Sequence, residues 1–112
     1  MANGAQLSVT DLRRSTRHPV SHNVIAEHRT AGDLKLHICN LSAHGFMIDD
    51  VPVLARGDRL IVRLPVVGRI EAYCIWVTDD RAGFQFERII RLDDFVTMIR
   101  ELQPNPALRR RG

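Results

Sequence analysis

The chain has 112 residues, 45% of them hydrophobic and 26% charged, which describes one soluble globular domain and excludes a disordered or fibrous chain. No apolar run approaches the roughly 20 residues of a bilayer span, and the opening MANGAQLSVT lacks a basic region followed by an apolar stretch, so a cytoplasmic location is expected. A net charge of +3 is modest, but fifteen of the sixteen cations are Arg; guanidinium groups suit paired hydrogen bonds to phosphate and to guanine edges, although coding bias explains the bulk of them equally well.

Residues 1–11 are polar and aperiodic and are expected to be a flexible lead-in. The stretch LRRSTRHPV then gathers Arg13, Arg14 and Arg17 ahead of Pro19, which disfavours helix at His18 and places the arginines on a loop feeding a strand. From Val20 the pattern has period two. VSHNVIAEHR is a first strand; LKLHIC sets Leu34, Leu36 and Ile38 on one face and Lys35, His37 and Cys39 on the other. GFMID follows as a short strand, RLIVRLP alternates Leu60, Val62 and Leu64 inward, and RIEAYCIWV puts Ile70, Ala72, Cys74 and Trp76 in phase. After the turn TDDRAG, FQF aligns Phe84 and Phe86. Six short strands with tight turns and no intervening helix predict an all-β-dominated fold, a six-stranded antiparallel barrel, whose closure removes exposed edges. RLDDFVTMIREL differs: Leu92, Phe95, Val96, Ile99 and Leu102 recur at helical spacing behind Asp93 and Asp94, so a C-terminal α-helix should pack on the barrel. Pro104 stops it, and residues 104–112 read as a disordered basic tail.

Between the second and third strands stands CNLSAHG. Asn, Ser and Gly are ordinary turn residues, but on an extended chain Asn40 and Ser42 point the same way about 7 Å apart, and Gly45 would let a flat ring or phosphate approach the backbone. An amide and a hydroxyl supply donors and acceptors, which suits ligand recognition better than catalysis. Arg13 and Arg17, spanning up to about 14 Å if extended, could grip one small anion. The spacing R-x-x-x-R is itself unspecific, since Arg59 and Arg63 repeat it inside a strand.

Other chemistry finds less support. The pairs Asp49/Asp50 and Asp79/Asp80 read as solvated turn residues that point apart, and no Ser/His or Cys/His pair has a placed third member, so no enzyme is expected. His18, His22, His28, His37 and His44 are scattered; His37 with Cys39 is the best metal pair available, and two ligands make no site. Cys39 and Cys74 are expected to be reduced. Tyr73 and Trp76 read as strand and core residues, leaving too few exposed aromatics for a single-stranded nucleic-acid platform.

With these residues in order, the sequence resembles the PilZ domain family, through RRSTR with Arg13 and Arg17 and NLSAHG with Asn40, Ser42 and Gly45. The resemblance extends over about residues 12–103. It implies a six-stranded barrel that binds the bacterial second messenger cyclic diguanylate (cyclic di-GMP), with Arg13 and Arg17 holding phosphate and guanine, and Asn40 and Ser42 hydrogen-bonding a guanine beside Gly45. Arg14 is either an added contact or solvated, and Leu12 falls where the family varies in a way that bears on whether one ligand or a stacked pair binds. It further implies no cofactor or metal, an arginine loop that orders on the ligand, and a protein effector as partner. A PilZ-like adaptor that works without nucleotide and a small barrel binding RNA or single-stranded DNA are the rival readings.

Overall fold

The computed structural model describes residues 16–102. Arg13, Arg14, the lead-in 1–11 and the tail 104–112 lie outside the described residues. Six strands follow in order: β1 (His18–His28), β2 (Gly32–Leu41), β3 (Gly45–Asp49), β4 (Arg59–Leu64), β5 (Gly68–Val77) and β6 (Arg81–Phe86); the helix α1 spans Leu92–Glu101. They close into an antiparallel barrel in the order β1-β2-β3-β6-β5-β4. The strand-and-barrel reading of the sequence therefore holds, with the terminal helix.

Period two explains the interior. Leu36 and Ile38 of β2, Leu60, Val62 and Leu64 of β4, and Ile70, Ala72 and Cys74 of β5 are all buried, as their alternation requires. Phe46 stacks on Phe84 with ring centroids 4.9 Å apart and meets Phe86 at 5.6 Å, an aromatic cluster within the buried core. Such pairs add about 0.5–1.5 kcal/mol each beyond the area they bury.

The helix carries Asp93 and Asp94 in its first turn and Arg100 in its last, matching its dipole. Its fully buried side chains are Phe95 and Met98, with Leu102 following, whereas Leu92, Val96 and Ile99 are only half-buried. Met98 thus takes the inward place that helical spacing gave to Val96, because the helix lies rotated toward the Phe95–Met98–Leu102 line. His18 at the head of β1 packs on Phe95, with centroids 5.4 Å apart.

Two departures from regularity position the surface. Pairing slips at Val20–Ser21 on β1, at Cys39 on β2 and at Ile75 on β5, and each slip turns the following residues to the opposite face. Closure is also uneven: β1 pairs with β2 from His22 to His28 but with β4 only over Ala26–His28. The barrel is closed, yet the expected loss of every exposed edge is not complete.

Candidate functional site

The bulge at Cys39 decides what the NLSAHG segment presents. Alternation from Leu36 and Ile38 would send Asn40 inward; the extra residue instead buries Leu41 and leaves Asn40 part-exposed on the outer wall. There the Arg17 guanidinium, through Nη1, donates to Asn40 Oδ1 at 3.2 Å. Two motifs separated by 23 positions are thereby in direct contact. With Oδ1 so engaged, the Asn40 side chain still carries two amide hydrogens as donors.

Ser42 and Gly45 do different work from Asn40. Ser42 is 3% exposed; its Oγ accepts from the His44 N–H at 3.2 Å and donates to the Gly45 carbonyl at 3.5 Å, while its own N–H bonds that carbonyl at 2.9 Å. The side chain stabilises the corner from within, so Asn40 and Ser42 do not share a face as alternation predicted. At Gly45 a Cβ would collide with the carbonyl of Phe84. The space that the sequence suggests for an approaching ring is taken up by β6. The N–H of Phe86, the last residue of β6, bonds the His44 carbonyl and the Ile90 N–H bonds the Ala43 carbonyl, at 2.8 and 2.9 Å, which fastens the corner to the end of β6 and to the segment leading into α1.

Register extends the outer wall from this corner. Asn40 pairs with Met47, Met47 with Gly83, and Gly83 with Trp76, forming one row across four strands, about 14 Å wide at the usual strand spacing. Trp76 is a correction to the sequence reading: it is not a core residue but 36% exposed. The slip at Ile75 turns it outward, and its indole lies against Gly83, where any Cβ would collide with the ring. A flat aromatic surface thus ends a row that begins with an amide and a guanidinium.

The next row holds a second correction. Ser21 Oγ lies 2.9 Å from His37 Nε2, and His37 Nδ1 lies 2.7 Å from Asp49 Oδ1, a Ser–His–Asp relay assembled from β1, β2 and β3. Sequence separation hid it, because only strand register brings the three together. It also removes His37 from consideration as a metal ligand, since both ring nitrogens are engaged. Cys39 directs its Sγ to the Met47 carbonyl at 3.5 Å; burial first and Asp49 second raise its pKa, against the lowering effect of Arg81, which favours the protonated thiol. Both cysteines are free. Acyl chemistry would need, besides the relay, paired donors for a developing oxyanion; what the relay does directly is tie three strands at the level of the bulges. Among the described residues, no group of three or more His, Cys, Asp or Glu is placed to hold a metal ion, and no helix is long and apolar enough to cross a membrane.

Fold and wall together define a small antiparallel barrel whose outer wall carries one row running from a polar to an aromatic end. A family model for the PilZ domain matches residues 11–102, and the chain belongs to the PilZ domain family. At the level of that family this is a binding or adaptor domain of the kind that takes up cyclic diguanylate. No curated protein matches the chain.

Proposed function

We propose that this protein is a receptor for cyclic diguanylate that passes occupancy on to a protein partner. The observation that carries the reading is the Arg17–Asn40 hydrogen bond, which joins the R-x-x-x-R motif to the N-x-S-x-x-G motif at one end of the row leading to Trp76. Guanidinium groups of Arg13 and Arg17, with Arg14 as a further cation, would form paired bonds to phosphate oxygens or to guanine O6 and N7. The Asn40 amide would then meet a guanine edge. Ser42 and Gly45 hold the backbone that aims it, Ser42 from inside the turn and Gly45 by admitting the Phe84 carbonyl. Stacking on Trp76 would favour a ligand with two flat bases over a simple anion.

The partner half of the proposal rests on linkage. A ligand that contacts Arg17 more strongly in one arrangement than another shifts the protein toward that arrangement, and Arg17 lies immediately before β1, whose His18 packs on α1. Occupancy at the wall can therefore bias the surface around β1 and the helix.

Calorimetric titration with cyclic diguanylate, GTP and cyclic AMP tests the reading. Selective, saturable heat with the cyclic dinucleotide is expected, together with its loss in Arg17→Ala and Asn40→Ala. Arg17 is exposed, so its substitution should leave the thermal unfolding of the free protein nearly unchanged. A folded protein that releases no heat, or an Arg17→Ala variant that binds normally, would overturn the reading and favour an adaptor that works without nucleotide.

A further inference from the structure

Along half of its length β1 has a strand on one side only. From His22 to Ile25 it pairs with β2, while its β4 pairing begins at Ala26. The two strands splay over this stretch and leave a groove of about 600 Å³. Consecutive residues line it on both sides, His22 to Ile25 and Ile61 to Pro65, so the groove exposes backbone as well as side chains. Alternate N–H and C=O groups of β1 point into it without a strand partner among the described residues.

Apolar surface and strain occur together at its mouth. Ile25 is 50% exposed and Val66, next to the lining residue Pro65, is 48% exposed. Val66 also holds a φ of 69°, a left-handed conformation that disfavours a β-branched side chain. The Val67 N–H bonds the Pro65 carbonyl at 2.6 Å and closes the tight turn around it.

Charge selects the occupant. Arg63 and Arg69 stand directly opposite each other on β4 and β5, an unfavourable placement of like charges. Arg69 is relieved by Glu27, with Nη1 and Oε2 2.6 Å apart, whereas exposed Arg63 has no ion pair among the described residues. Asp33 and Glu27 also line the groove, and their carboxylates disfavour a uniformly anionic strand such as a nucleic acid.

We propose that the groove between β1 and β4 receives an extended segment of a partner protein as an added strand along His22–Ile25, with apolar side chains against Ile25 and a carboxylate on Arg63. Main-chain hydrogen bonds give such strand addition its affinity, and side-chain pockets give it register. The inference builds on the adaptor reading by naming the chemistry of the partner.

A synthetic peptide of about ten residues, the length of a strand, alternating valine and threonine with two glutamates near one end, provides the probe; a counterpart carries lysines in place of the glutamates. Titrated into the isotope-labelled full chain, the acidic peptide should bind saturably, shift the amides of His22–Ile25 and Ile61–Leu64, and slow their hydrogen exchange. The lysine peptide should bind roughly tenfold or more weakly, and Arg63→Glu should reverse that preference. No saturable binding, binding indifferent to charge, shifts confined to α1 or to the Asn40–Trp76 row, or sedimentation showing pairing of two copies through this edge would each overturn the proposal. Peptide binding is read on nucleotide-free protein, so its failure is distinguishable from failure of the cyclic diguanylate titration.

Discussion

Gly45 and Ser42 show how a short motif is held by its own scaffold. Only glycine fits at position 45, because the Phe84 carbonyl occupies the place of a Cβ, and backbone cannot yield as a flexible side chain does. Gly45→Ala should therefore separate β3 from β6 and lower stability by about 1–3 kcal/mol, the usual cost of overpacking, which thermal unfolding would register. Unchanged unfolding would mean that the two strands can part freely. Asn40 belongs to the other class, since its side chain faces out and its replacement should be felt by ligand and not by fold.

A second residue-scale expectation concerns acid. His22 is held below its ordinary value of 6.5 by burial first and by nearby His37 second. As pH falls through 6.5, the unfolded chain takes up a proton that the folded chain resists, so stability falls with it and levels off once folded His22 protonates as well. His22→Gln should flatten the decline of melting temperature between about pH 7 and 5. An equally steep decline in the variant would assign the effect to other histidines. Asp58, held low by the Ala55 N–H first and by His28 second, contributes stability that is lost on acidification below its ordinary value of 3.8.

Elements were legible where their period was unbroken and illegible where it slipped. Leu36, Ile38, Leu60, Val62, Leu64, Ile70, Ala72 and Cys74 all face inward as alternation predicts. The bulges at Cys39 and Ile75 carry no distinctive composition, and they alone decide that Asn40 and Trp76 reach the outer wall. The Ser21–His37–Asp49 relay was hidden for a related reason, since register and not sequence spacing makes those residues neighbours. In α1 the stripe was legible but its rotation was not. Met98→Ala should cost about 2–5 kcal/mol, as a large-to-small change at a fully buried site, whereas half-buried Val96→Ala should cost clearly less. The opposite ranking in denaturant unfolding would place the wrong helix face on the barrel.

At the scale of the molecule, β1 connects the two surfaces of interest. The residue just before it, Arg17, bonds Asn40, its head packs on Phe95 of α1, and its middle borders the groove beside β4. The fold, the family and the two motifs were legible in the sequence because each depends on local residue type and order. The groove and the Asn40–Met47–Gly83–Trp76 row were not, because both follow from how strands slide past one another on closing the barrel.

The measurement that tests the central claim most directly is an amide chemical-shift map of the full chain on addition of cyclic diguanylate, with GTP as the comparison. The account predicts saturable shifts along one face, at Arg17, Asn40, Met47 and Gly83 and at the Trp76 indole N–H, that GTP does not reproduce. Shifts centred elsewhere on the barrel, or none from a folded protein, would contradict it.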